Sequence, residues 1–536
     1  MTLDTKDTTQ ALQTKIQGKL RDFHKKGKLD SEAYKSLYPS SSVTPTANPA
    51  IKAHKPEKQY PARLITSHIG APQENVASFI NKILGPFIEK NQFVCKNSFE
   101  FAKMMKNIKL GPNEKMGSYD ATALFPSVPI EEAIAFIRSL LENDPSLPLR
   151  TSLSPTEICE LISLCLSSSN FLYDSRHHTQ NNSGPIGLSL MVTVSQLWMI
   201  HTMEKAIENA RERGTTIPRF ITIYMDDVWC VIQYGRQGLR NSTASDPAVD
   251  FNECLNAVHP SVQFTREMEE NNSIPFLDVL LTREPNGKIS TKVYRKPSNT
   301  NITIKPQSCQ HPSTAIANFK GELCRAHRIC SSQENLKKEI EFIINLFADN
   351  GHKREMLGKM AKDYTPPSLQ QQTSKNKKQS KSSASAIEDI PDNLFDILPF
   401  RGVNIGDEPQ YKPYACVPFI PGPTHYRLKR AFSKAGANMY TKSGTKLKDL
   451  LCSANTTKHD PIKKLGIYEI KCPCSDKAKY VGQTARAIIT RGKEHGSAAN
   501  KGNWSHSGIS AHKEHCKESI DWTTPTGPME KYTKTI

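Results

Sequence analysis

The chain reads as a multidomain α+β protein on three observations. Two adjacent acids, Asp226 and Asp227, lie between the apolar runs Phe220 to Tyr224 and Val228 to Ile232. Both runs are rich in β-branched and aromatic residues, so they read as a hairpin with the acids in its tight turn. Ahead of the hairpin come a strand around Asp120 and two amphipathic helices, which gives the order strand, helix, helix, hairpin. Far downstream, past a Ser- and Lys-rich stretch, a second and smaller set of strand and helix signals begins. At 536 residues the expectation is three or four domains.

Lys and Arg number 71 against 53 Asp and Glu, a net charge of +18. Such an excess points to a polyanionic partner, nucleic acid or an anionic membrane surface. No apolar run approaches the ~20 residues of a membrane span. Met1 to Gln10 is polar and lacks a signal-peptide core. The expectation is an intracellular protein, without a membrane partner, whose 13 cysteines are mostly reduced thiols. Most lie singly in apolar runs, as Cys159, Cys165 and Cys230 do; Cys472 and Cys474 form the one close pair.

Residues 1–50 are a polar segment with a Lys-rich helix from Ala11 to Lys28. Ala77 to Lys90 reads as an amphipathic helix. Pro129 opens another, with Glu131 and Glu132 in its first turn and Ile130, Ile134, Ile137 and Leu141 on one face. Ser154 with Glu157 forms a capping box, and Ile158, Leu161, Ile162 and Cys165 follow as a buried stripe. A glycine-containing loop, Gln180 to Ser189, precedes a long helix to about Ala206. After the acidic hairpin, Val262 to Glu267 and Phe276 to Thr282 read as strands. Pro285-Asn286-Gly287 turns the chain into Lys288 to Lys296. Residues 309–360 read as helical, with Ser331 and Glu334 as a capping box and a stop at Asn350-Gly351. His311, Arg325, His327 and Arg328 either face a nucleic-acid backbone or form a solvated basic face. Residues 363–388 are a disordered basic linker, and 389–460 a connector with a small α/β unit around a basic helix, Tyr426 to Lys434.

An Asp-Asp turn by itself is common on exposed surfaces. Held between strands, paired carboxylates repel unless a cation lies between them, and magnesium takes one or two carboxylates plus substrate phosphates. Two such ions about 3.5–4 Å apart are the usual device of phosphodiester chemistry. Three further stretches sharpen this reading: Ser118-Tyr119-Asp120-Ala121-Thr122-Ala123-Leu124-Phe125-Pro126-Ser127-Val128-Pro129, Ile274-Pro275-Phe276-Leu277-Asp278-Val279-Leu280 and Val293-Tyr294-Arg295-Lys296-Pro297. With the acidic hairpin they resemble the palm of a reverse transcriptase of Penelope-like retroelements. The resemblance implies a right-hand polymerase with fingers and palm over 51–308 and a thumb over 309–362. It makes Asp120 and Asp226 the ligands of Mg2+ (or Mn2+), with Asp227 beside them. It implies that Arg63 meets the incoming triphosphate, that Phe125 lies under the nucleotide sugar, and that Gly187 belongs to a loop near template and nucleotide. Here the chain departs from the commoner Met-Gly-Ser-Pro-Leu-Ser run, keeping the glycine.

The C-terminal part, 461–536, carries Gly466-Ile467-Tyr468, then Tyr480-Val481-Gly482, then Arg491 on a following helix. This set resembles a GIY-YIG endonuclease, the nuclease of the same elements. It implies that Tyr468 or Tyr480 orients or deprotonates water, that Arg491 stabilises phosphate charge, and that a downstream Glu holds one metal. Cys472 and Cys474 with His512 and either His515 or Cys516 offer soft ligands for a structural zinc; His515 is taken as the fourth ligand. After Trp522, Pro525, Gly527 and Pro528 oppose a helix, and Glu530 is the only carboxylate left to serve as nuclease metal ligand. The domain looks cut short or diverged there, so DNA binding with poor nicking is expected.

Together the resemblances imply a nuclear retrotransposon protein that copies element RNA from a primer 3′-hydroxyl, using dNTPs, at a nick in target DNA. Two other readings stand beside it: telomerase-like extension of DNA ends without use of the nuclease, and a degenerate copy that only binds nucleic acid.

Overall fold

The computed structural model describes residues 2–4, 7–51, 59–166, 169–174, 176–180, 184–235, 246–308, 310, 312–366, 414–418, 423–442, 466–474, 478–484 and 487–522. Of the expected linker only Asp363 to Pro366 are described, with Asp363 capping a helix and Tyr364 packed on a helical core; the rest of the linker, His311 and Glu530 lie outside the described residues. The chain begins with β1 (Thr2–Asp4), α1 (Thr9–Lys25), α2 (Ser31–Leu37), β2 (Thr46–Ile51), β3 (Ala62–Ser67), α3 (Glu74–Glu89) and α4 (Ser98–Met105). Next come β4 (Glu114–Ala121), α5 (Leu124–Ser127), α6 (Ile130–Glu142), α7 (Pro155–Leu166), β5 (Ser169–Tyr173), β6 (Arg176–Gln180) and α8 (Ser189–Arg213). Then follow β7 (Phe220–Tyr224), β8 (Asp227–Gln233), α9 (Pro247–Asn256) and β9 (Phe264–Met268). β10 (Ser273–Phe276), β11 (Val279–Arg283), β12 (Ile289–Val293), α10 (Pro312–Ile329), α11 (Gln333–Asp349) and α12 (Arg354–Lys362) come after them. The last elements are β13 (Tyr414–Pro418), α13 (Pro423–Lys434), β14 (Asn438–Lys442), β15 (Gly466–Lys471), β16 (Lys479–Thr484), α14 (Ile488–Asn500) and α15 (Gly508–His515). The protein is mixed α+β. No described helix is long and apolar enough to cross a membrane.

The chain divides into two compact units, residues 1–96, 113–268 and 451–536 in one, 97–112 and 269–450 in the other. In the first, a four-stranded antiparallel sheet has the order β7-β8-β4-β9. The interior strand β8 is buried from Val228 through Ile232, which is why it reads as a continuous apolar run. The edge of β7 is covered: Ile223 N–H donates to Phe93 O at 2.6 Å, and Cys95 N–H donates to Ile223 O at 3.0 Å. α8 packs its buried face, from Leu190 to Ala210, into the same core as α3, α6 and α7. The capping box of α7 is reciprocal: Ser154 N–H donates to Glu157 Oε2 at 2.7 Å and Glu157 N–H to Ser154 Oγ at 3.3 Å. α1 is less peripheral than its polar composition implies, since Leu12, Ile16, Leu20 and Phe23 enter this core.

A second sheet of this unit, in the order β1-β6-β5-β2-β3, includes the hairpin β5–β6. The sequence gives little sign of this hairpin, because Arg176-His177-His178-Thr179 shows no alternation of apolar and polar residues.

In the second unit, β10-β11-β12 form a three-stranded sheet beside α10, α11 and α12. Two expectations change here. The strand expected over Phe276 to Thr282 breaks after Phe276, which pairs with Val279 across a two-residue turn whose Leu277 has φ +56°. The N-cap of α11 is Ser332, whose Oγ accepts from Asn335 N–H at 3.1 Å, while Ser331 Oγ instead accepts from Thr291 N–H at 2.9 Å. The basic cluster on α10 is engaged internally. Arg325 Nε donates to Asp278 Oδ2 at 2.7 Å, the Arg328 guanidinium lies 4.0 Å from the Phe99 ring centre, and His327 packs on Tyr364. β13, α13 and β14 form a parallel βαβ unit, so the expected connector helix is the crossover between two strands.

Candidate functional site

The acidic site is built by strand register. β4 pairs with β8 so that Asp120 lies opposite Asp227 and Tyr119 opposite Val228. Opposed residues point to one face, so the two carboxylates share a face while Tyr119 and Val228 turn into the core. β7 joins β8 with Tyr224 opposite Asp227, leaving Met225 and Asp226 as the two-residue turn, so that of the two acids expected in the turn only Asp226 lies there and Asp227 is the first residue of β8. Met225 takes φ +56°, and Ala121 N–H donates to Asp226 O at 3.1 Å, which ties the turn to the end of β4. Asp120 is exposed; Asp226 and Asp227 are half-buried. Behind them the Tyr119 hydroxyl donates to Ala248 O at 3.0 Å, and burial pushes its pKa well above the usual tyrosine value. It therefore remains a protonated donor that fixes β4 against α9. At the other end of the sheet, Arg219 grips buried Glu114 through two bonds of 2.6 and 2.9 Å. Three carboxylates thus lie at one end of two paired strands, without their oxygens converging within 4.8 Å of one another as the ligand atoms of a closed metal group do.

The other residues singled out for this site fall as follows. Arg63 is exposed on β3, opposite Ala50 of β2. Phe125, on α5, is half-buried and packs on the main core. Gly187 has φ +122°, and a Cβ there would lie 2.0 Å from Thr66 O. The loop is fastened at that point by Thr66 N–H donating to Ile186 O at 2.7 Å. The close approach that requires glycine is thus to β3, three residues along from Arg63.

The C-terminal site is built from the hairpin β15–β16 and helix α14. Tyr468 pairs with Gly482, and Tyr480 with Ile470. A Cβ at Gly482 would lie 2.5 Å from Tyr468 Oη and 2.9 Å from the Tyr480 ring, so glycine is required there by the two tyrosines. Tyr468 is buried, and that burial, with Tyr480 nearby, raises its pKa, while a hydrogen bond with Arg491 pulls it down. Arg491 also bonds Glu494 Oε2 at 2.8 Å, an ion pair that raises the guanidinium pKa further. Sequence reading missed His495. It is fully buried, and its Nε2 is 2.7 Å from Tyr468 Oη. Tyr480 meets the same ring edge-on, at 5.1 Å between centres. The available signal was spacing, because His495 follows Arg491 by four residues on one helix face.

Beside this site, Cys472, Cys474, His512 and Cys516 bring one ligand atom each within 4.8 Å of all the others. Among the described residues no other group of three or more His, Cys, Asp or Glu does so. His515 is not a member: its side chain is 85% exposed and points toward Glu514. The reason is helical. Cys516 follows His512 by a full turn and caps α15 with its N–H on His512 O, which brings it back to the cluster. Cys472 Sγ and Cys516 Sγ are 3.6 Å apart, and Cys474 Sγ and His512 Nε2 3.5 Å. These are too long for a disulfide and close to the ~3.8 Å edge of a tetrahedron with zinc–sulfur bonds of about 2.3 Å. Burial pushes the Cys472 thiol up to about 11, a proton that a bound metal would displace.

A family model described as an animal helix-turn-helix domain matches residues 302–358, which take in α10, α11 and the start of α12. No curated protein matches the sequence. Among solved structures, the chain is similar to telomerase from Candida albicans in complex with a fragment of telomeric RNA, at 10% identity and a TM-score of 0.42 over 63% of this chain. It is also similar to the Sicinivirus 3Dpol RNA-dependent RNA polymerase, at 12% identity and TM-score 0.37 over 62% of this chain and 70% of that one. Apo telomerase from Candida tropicalis matches at 11% identity and TM-score 0.33, over 63% and 62%. The chain spans 58% of the length of the Candida albicans telomerase it matches.

Proposed function

We propose that this chain is the reverse transcriptase of a Penelope-like retroelement, copying element RNA into DNA at Asp120, Asp226 and Asp227. The observation that carries the reading is the register of β4 on β8, which sets Asp120 opposite Asp227 with Asp226 in the adjoining turn. Bound Mg2+ (or Mn2+) would supply an activated 3′-hydroxyl and neutralise charge on the leaving pyrophosphate. Asp120 and Asp226, with Asp227 beside them, would hold the metal, and other residues of the chain would position the nucleotide. Phe125 lies five residues beyond Asp120 to meet the sugar, and Arg63 is free of burial to meet the triphosphate. The surplus of 71 basic over 53 acidic residues suits template RNA, primer and target DNA. We place its action in the nucleus.

The C-terminal part is read as a GIY-YIG endonuclease domain, supported by Tyr468, Tyr480, His495 and Arg491 meeting around one hairpin. Cys472, Cys474, His512 and Cys516 would hold its structural zinc.

Primer extension by the purified full chain tests the polymerase reading. DNA primers on RNA templates should lengthen with dNTPs and magnesium. A properly folded chain that extends no primer on any template would overturn it. Nicking of supercoiled plasmid, assayed separately, tests the nuclease half.

A further inference from the structure

The small unit of β13, α13 and β14 carries a charge that its own residues do not balance. From Tyr414 to Lys442 the sequence has the cations Arg427, Lys429, Arg430, Lys434 and Lys442 and no Asp or Glu. All but Lys442 stand on α13, and those on α13 are all exposed.

Helix periodicity sorts the faces of α13. His425, Leu428 and Phe432 recur at three and four residues; His425 is buried and the other two are half-buried. This face lies on the sheet, since α13 packs against β14. Arg427, Arg430 and Lys434 have the same spacing and emerge on the opposite side. At a rise of 1.5 Å per residue they form a straight row about 10 Å long. The row is unpaired. Elsewhere Lys19, Lys205 and Lys338 are each matched with a carboxylate, at 2.7, 2.6 and 2.6 Å, and Arg325 on α10 is tied to Asp278. Arg427, Lys429, Arg430 and Lys434 make no hydrogen bond or ion pair with any described residue.

We propose that this row on α13 is a docking surface for the phosphate backbone of duplex DNA, held without reading of base sequence. A rigid row of cations fits a partner that is itself stiff and regularly charged, and each strand of a duplex presents one phosphate per about 3.4 Å. A flexible single strand would have to be ordered to match the row, which costs affinity. The two guanidinium forks suit phosphate oxygens in pairs. An anionic membrane fits less well. A helix that binds a bilayer sinks an apolar face among the lipids, and that face of α13 is turned onto its own sheet. The proposal goes beyond the polymerase reading and stands without it, because it needs only the charge of the folded chain.

The test is the affinity of the full chain for a short fluorescent DNA duplex, measured by anisotropy over a series of salt concentrations. Arg427→Gln, Arg430→Gln and Lys434→Gln combined should weaken binding equally on two unrelated sequences. The slope of log affinity against log salt should become shallower by about 2–3, near 0.9 for each lost phosphate contact. Glutamine is a good helix former and the positions are exposed, so α13 should persist. Lys19→Gln, Lys205→Gln and Lys338→Gln combined remove the same charge from cations already paired, and should leave the slope nearly as it was. Arg427→Lys with Arg430→Lys keeps the charge and should keep the slope. An α13 variant that binds as the parent does, or a control that weakens binding as much, would overturn the proposal. So would a loss confined to single-stranded RNA or to vesicles containing anionic lipid. Primer extension is read on the same preparations: a parent chain that extends no primer yet shows the α13-dependent slope would remove the polymerase reading and leave this surface standing.

Discussion

The two candidate sites are built in opposite ways. The acidic site places charged groups at the open end of a sheet whose opposite face is sunk in the main core, where Tyr119, Val228 and Trp198 are almost wholly covered. Its carboxylates are exposed or half-buried. The C-terminal site inverts this. Its polar groups, Tyr468 and His495, are buried, and the core around them is small: Ile470, Ile488, Ile509 and Ile520 are its main aliphatic members, with Cys472 and Cys474 inside it. So few apolar residues seldom stabilise a domain without a staple. The first site is charged and open, and the second shares its residues with the small core of its own domain.

Substituting the acids sharpens that contrast most. Asp120→Ala or Asp226→Ala should lower DNA synthesis by roughly 10²–10³-fold or more, the scale of losing one preorganised electrostatic group. Melting temperature and RNA affinity should hardly move, since basic surface supplies most binding. Vigorous synthesis by either variant would sink the assignment.

Zinc removal should break the second site as a fold. The full chain should carry near one zinc by elemental analysis, and Cys472→Ser should lose it. A zinc-selective chelator in excess magnesium should expose 466–522 to proteolysis while primer extension continues. Occupancy should also fall as pH drops, because protons compete for thiols and burial holds the Cys472 proton tightly. Full resistance of a metal-free chain to proteolysis would show that the core suffices.

Gly187→Ala probes the loop seam. The added Cβ meets Thr66 O at 2.0 Å with φ at +122°, so a loss of about 2–4 kcal/mol is expected. Thermal unfolding measures it, and an unchanged transition would mean that the loop is not seated there.

The smallest effect is expected at Phe125. Because the ring is only half-buried, Phe125→Ala should fold and admit ribonucleotides roughly tenfold more readily, about 1.4 kcal/mol of discrimination. Unchanged sugar preference in a folded variant would return Phe125 to plain packing.

What could be read in advance was local. The acid-bearing turn, the box of Ser154 with Glu157 and the Asn286-Gly287 turn each follow from a few neighbouring residues. What escaped depends on distant contacts. The hairpin β5–β6 has little apolar alternation and is held by pairing with β1 and β2. The turn at Leu277 is a non-glycine residue in a left-handed conformation, which composition does not announce. Choosing Cys516 over His515 required knowing where α15 begins. His495 looked like one more polar residue on a basic helix, since its burial is set by Tyr468 across the hairpin.

Because side chains alternate along a strand, Asp120 faces Asp227 in one alignment only. Adding or removing a single residue within β4 or β8 would carry one acid to the buried side and bring an apolar neighbour out. For these two strands, then, the number of residues matters as much as their chemistry. A reading-frame-preserving insertion of one codon there should be as damaging as loss of an aspartate, and far more damaging than the same insertion in a surface turn such as Pro285-Asn286-Gly287.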